Sequence, residues 1–307
     1  MIMKRTTSWW LGCVFVWITL WTQVAQAQVF WKITGKGLQQ PSYLLGSMHV
    51  YDGSRLLEQA AVKQAFDNSS VFVGELEMNS SAMFELFAEM VMPGDTTLQD
   101  LLSPEEYQRV DRYMQEKMGV GLGFFGRMRP IFLYFLFTTI DEAERMQAQG
   151  DSSFSSMNVD GLMDVYLQRT AREAGKEVRA LETVREQIQA LTGSMSLQEQ
   201  ARTLADYVKN GSAQKSDKQK ALQLVEAYKK QDLKRMAKLL RENFDEQQYR
   251  LLIVERNRRW LPKMEAIMQK APAFFVVGAG HLVGEEGLLV QLQRLGYRLE
   301  PLPLKLE

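Results

Sequence analysis

Cysteine is nearly absent. The chain has 1, Cys13, and it lies early in the first apolar run. Trp10-Leu11-Gly12-Cys13 precedes most of that run instead of following it, which excludes a lipid-anchor reading. Beyond Cys13, disulfides, thiolate catalysis and thiolate zinc sites are excluded together. Histidine is almost as scarce, with 2 residues, His49 and His281. No cluster of Lys and Arg stands out, so nucleic acid is not an expected partner. No P-loop, GxGxxG fingerprint or HExxH helix is present. Ser47 lacks the Gly-x-Ser-x-Gly surroundings of a nucleophile elbow.

What is present begins with a leader. Lys4 and Arg5 precede an apolar run from Trp9 to about Trp21, and Ala25-Gln26-Ala27 supplies a small-x-small cleavage signal. This is the form of a secretory signal peptide over residues 1–27, cut before Gln28. The run is shorter than the roughly 20 residues of a spanning helix. The expectation is an exported, periplasmic or secreted protein with no stable membrane span after cleavage. Removing Lys4 and Arg5 from the 37 basic residues leaves 35 against 37 acidic ones, a formal charge of −2. Of the 6 tryptophans, only Trp31 and Trp260 lie beyond the leader.

Residues 28–307 are expected to form a single domain. Val29–Thr34 and Tyr43–Leu45 read as strands, Leu56–Phe66 as a helix, and Val71–Glu77 as a strand covered on both faces. Residues 80–270 read as a mainly helical insertion. Within it, Ser103-Pro104-Glu105-Glu106 is a capping box opening a helix to about Met118, ended by Gly119. Phe124 to about Gln149 reads as a buried helix, not a membrane span, because Arg127, Arg129 and Pro130 interrupt its start. A helix over Val159–Ala174, with Asp160 at its cap, leads to a strand at Val178–Leu181 and a cap at Thr183. Asn210–Lys218 reads as an exposed loop and Ala221–Ala271 as helical. Phe274–Val277, Glu285–Leu295 and Tyr297–Leu302 read as strand, helix and strand. The fold class is therefore α/β (α+β): a central mixed sheet built from both ends of the chain, with a large helical insertion. The two ends resemble each other, each with a strand, a Gly-x-x-His, a helix and a second strand.

The chemistry is expected at those repeated motifs, Gly46-Ser47-Met48-His49 and Gly278-Ala279-Gly280-His281. In open α/β sheets functional groups gather beyond the carboxyl ends of strands. Gly46 and Gly278 are placed to let the chain turn and approach a ligand. Glu75 and Glu77 close a third strand and would share one face under period-two alternation, which leaves open which of them reaches the site. Two imidazoles and a carboxylate without a thiolate suit zinc, manganese, iron or cobalt. Against this, a single histidine after a strand is commonly a packed, hydrogen-bonded residue, and a lone Glu commonly forms a salt bridge. Glu255-Arg256-Asn257-Arg258-Arg259 reads first as a solvated charged helix face. The alternative is a ligand site, with Arg256 clamping an anion and Asn257 orienting a ligand.

Taken in order, Gly46–His49, Val73-Gly74-Glu75-Leu76-Glu77, Met128-Arg129-Pro130, Val159-Asp160-Gly161-Leu162, Gly175-Lys176-Glu177-Val178, Leu181-Glu182-Thr183, Arg256-Asn257 and Gly278–His281 resemble the TraB/PrgY/GumN family, which includes the animal Tiki proteins. The likeness runs from about Trp31 to Glu300. It implies a fold related to the erythromycin esterases and ChaN-like proteins, and a divalent metal (manganese, cobalt or zinc) used for peptide hydrolysis. Carried over, His49, His281 and Glu75 match the metal positions, Arg256 and Asn257 a motif of less defined role, and Glu77 a secondary carboxylate. The resulting expectation is an exported metal-dependent hydrolase, a peptidase with Glu75, Arg256 and Asn257 in catalysis. The alternatives are a non-catalytic protein that binds or sequesters a peptide pheromone, and an esterase acting on a small molecule. Partners are a peptide or small-molecule substrate.

Overall fold

The computed structural model describes residues 28–48, 53–148, 162–210 and 215–306. The leader with Cys13, His49 and Asp160 lie outside these residues. Six strands form one sheet in the order β4-β3-β5-β2-β1-β6. They are β1 (Phe30–Gly35), β2 (Ser42–Ser47), β3 (Val71–Gly74), β4 (Glu177–Ala180), β5 (Ala273–Gly278) and β6 (Tyr297–Pro301). β2, β3, β4 and β5 run parallel, and β1 is antiparallel to both β2 and β6. β6 therefore runs with β2 and β5, and β1 alone opposes the rest. The mixed sheet is built from both ends of the chain, as the periodicity suggests, but β4 comes from the middle and forms one edge.

The apolar runs explain the order. β2 and β3 are buried along their whole length and β5 up to its last residue, which suits central strands covered on both faces. Phe72, Phe274 and Phe66 meet at ring separations of 5.7 to 6.4 Å. The two Gly-x-x-His motifs leave adjacent parallel strands, with Gly46 paired to Val277 and Ser47 to Gly278. Each is followed by a helix, Ala60–Asp67 or Leu288–Arg294, and a return strand, β3 or β6.

Several boundaries differ from the sequence reading. β3 stops at Gly74, so the alternation argument for Glu75 and Glu77 does not apply. The apolar middle helix begins at Pro130, not Phe124, because proline lacks the N–H that an interior position needs and sits well at the first turn. Lys215–Lys218, expected in a loop, open the Lys215–Lys229 helix. The capping box at Ser103 and the left-handed Gly119 stop (φ 72°) are as the sequence indicates. The helical middle has cores of its own. Leu98, Val110, Met114, Leu133, Phe137 and Leu204 form one away from the sheet. No helix among the described residues is long and apolar enough to cross a membrane.

Candidate active site

Three parallel strands deliver side chains to one edge of the sheet. The β3–β4 ladder continues past its last pair, with Leu181 N donating to Gly74 O and Glu182 N to Glu75 O, both at 3.0 Å. That continuation sets Glu75 and Glu182 beside each other. Both are buried, as are Arg256, Asn257 and His281. Two adjacent buried carboxylates require a cation. Arg256 supplies it.

The guanidinium uses every N–H it has. Nε donates to both Glu182 oxygens at 3.1 Å, and Nη2 donates to Glu75 Oε2 at 2.5 Å and Glu182 Oε1 at 2.6 Å. Nη1 donates to Leu252 O at 3.3 Å and to His281 Nε2 at 2.9 Å. Burial alone would lower the pKa of Arg256, but Glu75 and Glu182 hold it above its usual value. Burial pushes Glu182 up, against the pull of Arg256. Trp260 completes the clamp: its Nε1 donates to Glu182 Oε2 at 3.2 Å, and Arg256 lies 4.6 Å over its ring.

The protonation of His281 follows from its partners. Arginine cannot accept, so Nε2 must accept. The Asn257 amide nitrogen donates to His281 O at 3.0 Å and Glu286 O at 2.9 Å, so its Oδ1 faces His281 Nδ1, at 2.7 Å. Nδ1 therefore carries the proton and the imidazole is neutral, packed against Trp260 at 4.4 Å between ring centroids. Both arguments give the same tautomer.

Glu75 is the carboxylate that reaches the site. Its Oε1 accepts from Gly278 N at 2.7 Å and lies 3.9 Å from His281 Nε2. Its Oε2 also accepts from Gln187 at 3.2 Å. Glu77 points elsewhere, half-exposed and 3.6 Å from Arg172. The expected solvated face at Glu255–Arg259 is corrected for Arg256 and Asn257, which face inward with Trp260 and Met264. The π-helical turn at Arg250–Val254 leads into this segment, and such turns recur at functional sites. Gly46 is needed for space, since a Cβ there would meet Leu282 at 2.9 Å and Ala279 at 3.1 Å. Gly278 has an ordinary extended backbone (φ −52°, ψ 132°) and contributes its N–H.

Sequence reasoning missed Glu182, Trp260, Gln187 and Asp164. Asp164 accepts from Ser47 Oγ at 2.7 Å. Glu182 carries the same signal as Glu75, a carboxylate just past a buried strand. The donor chemistry suits a divalent ion: a neutral imidazole presents Nε2, and a carboxylate oxygen lies within the span of two bonds of about 2 Å to one centre. That lone pair is single, so its bond to Arg256 and a bond to a metal are alternatives. Among the described residues no group of three His, Cys, Asp or Glu is placed to hold a metal. His49, the further ligand expected from the sequence, lies outside the described residues.

The TraB/PrgY/gumN family model matches residues 29–301. Relatives include Metalloprotease TIKI1 of Danio rerio, 26% identical over 86% of this chain and 61% of its own length. Metalloprotease TIKI1 of Homo sapiens is 24% identical over 86% of this chain and 60% of its own. The Metalloprotease TIKI homolog of Amphimedon queenslandica is 24% identical over 90% and 62%. The chain thus spans about three fifths of the length of these relatives. No solved structure matches, and the expected kinship with erythromycin esterase and ChaN is not confirmed. With a match across the sheet, the helical middle and both strand-end motifs, the chain belongs to the TraB/PrgY/gumN family.

Proposed function

We propose that this protein is an exported, divalent-metal-dependent hydrolase that cleaves peptides. The observation that carries the reading is the convergence of His281, Glu75 and Arg256 at the carboxyl edge of the parallel strands, with Glu75 Oε1 3.9 Å from His281 Nε2. Relatives named as metalloproteases support the reaction class. His281 through Nε2, Glu75 through Oε1, and His49 would hold the ion. The chemistry such an ion supplies when bound is an acidified water and a polarised carbonyl.

The chain's own residues have separate tasks. Asn257 fixes the His281 tautomer, so that the ring always presents Nε2 to the site. Glu75 Oε1 has one role at a time, holding the ion or taking a proton from attacking water, while Oε2 stays engaged by Arg256 and Gln187. Arg256 holds positive charge beside both groups, where negative charge develops on the substrate oxygen. Glu182 holds the guanidinium through Nε and Nη2 and Trp260 stacks on it, so Nη1 can give up His281 Nε2 to the ion while the charge stays in place.

The test is a peptide-library cleavage assay on purified protein, with chelator and with manganese, cobalt or zinc restored. Turnover that chelator removes and one of these ions restores supports the reading. Turnover at the native rate in a folded His49→Ala, His281→Ala double variant overturns it. A second reading, peptide binding without turnover, draws on the saturation of the site: Arg256 already engages the only lone pair of His281. It expects peptide affinity that chelator does not change.

A further inference from the structure

Beside Glu75 the sheet leaves a cavity of about 170 Å³. Phe72 and Val276 on the strands, with Leu76, Met78 and Val165, give it apolar walls, and Glu75, Asp164, Gln168 and Gln187 supply the polar part of its lining. Gly74, the last residue of β3, lines it and leaves room for the segment packed against it. A Cβ at Gly74 would meet Leu76 O at 3.1 Å and Gln168 Nε2 at 3.3 Å. The wall opposite is tied down. Buried Gln168 donates to Leu76 O at 2.8 Å and accepts from Met78 N at 2.7 Å, strapping the segment that follows Glu75. The space is therefore preformed. Leu76, Met78, Asp164, Val165 and Gln187 are only half-buried, so the cavity is open to solvent.

An apolar cavity of roughly 150 Å³ can take up benzene, whereas pockets for whole ligands are about 300 Å³ or more. This one has the capacity of a single side chain. Glu75 and Asp164 both line it, and a carboxylate brought in between them meets like charge as well as lost hydration. Glu75 also belongs to the candidate site, with its Oε1 3.9 Å from His281 Nε2, so the cavity and that site share a wall.

We propose that this cavity is the specificity pocket of the site, taking one uncharged apolar side chain of leucine, methionine or phenylalanine size and rejecting acidic ones. The proposal rests on the peptide-hydrolase reading and names the substrate feature which that site selects. The experiment compares peptides that differ at one position, together with a binding measurement that needs no turnover: saturation-transfer NMR of N-acetyl-leucine amide and N-acetyl-aspartate amide. The wild-type chain is expected to cleave the leucine, methionine and phenylalanine peptides at least tenfold faster than the aspartate peptide and to bind the leucine amide only. Val165→Phe, which fills the cavity, should lose that preference and that binding while still cleaving an alanine peptide. Met78→Trp serves as the second filling variant if the first does not fold. An unchanged profile in a folded filled variant, or a preference for acidic or basic residues, overturns the pocket. If no peptide is cleaved, the hydrolase reading fails, and leucine-amide binding lost on filling still decides for the cavity, or its absence against it.

Discussion

Arg256 serves four hydrogen-bond partners at once, Glu75, Glu182, His281 and the Leu252 carbonyl, so its neighbourhood should be more sensitive than a surface ion pair. Replacing it with methionine leaves Glu75 and Glu182 buried without the guanidinium that balances their charge. Breaking a buried pair from one side costs about 3–5 kcal/mol, which urea denaturation at neutral pH should register. Arg256→Lys should recover part of that stability but little activity, because a point charge cannot bridge both carboxylates and His281. Comparable activity in the lysine variant would show that the fork geometry is idle. The inward turn of Arg256 was legible in the sequence. Arg256, Asn257, Trp260, Met264, Ile267 and Met268 form one buried stripe, and the four apolar members fix its phase. Charge density in Glu255–Arg259 argued the other way because it carries no phase. Glu182 was harder to place, since only pairing of β4 with β3 makes its strand end part of the same edge.

Single elements position these groups, and their caps are testable. Thr183 directly follows Glu182 and caps the Val184–Thr192 helix in a reciprocal box with Glu186. Thr183→Ala should cost about 1 kcal/mol, and activity should fall beyond that loss because Glu182 shifts with the cap. Unchanged turnover in the variant would separate the cap from the site. In the helical middle, burial opposes ionisation of Asp141, but hydroxyls of Tyr113 and Tyr207 and the ammonium of Lys117 (2.9 Å) hold it below its usual value. A lowered folded value means that the ionised form stabilises the fold above the unfolded pKa near about 3.9, and that this is lost as pH falls through the folded value. The melting-temperature gap between wild type and Asp141→Asn should thus be steady from neutral pH to about pH 4 and close below it. A gap that persists in acid would contradict the assignment. Sequence periodicity located most of these elements. It did not place their ends, because the ends depend on tertiary partners such as the backbone contacts beyond Gly74.

At the scale of the whole molecule, the sheet joins chain ends that are far apart in sequence and puts two matching motifs on neighbouring parallel strands. The strand order was not readable from the sequence, because buried strands such as β2, β3 and β5 look alike to periodicity. The edge that carries the candidate site was readable, because glycine and polar residues interrupt each apolar run at the same end. The central claim is that this edge is one hydrolytic site run by His49, His281 and Glu75. The most direct measurement is kcat/KM for one cleaved peptide, with restored divalent ion, in wild type and in folded His49→Ala, His281→Ala and Glu75→Gln variants. The account predicts a loss of about a hundredfold or more in each, from removal of the general base in Glu75→Gln and of an ion ligand in the two histidine variants. Native-rate cleavage in any one of them would contradict it.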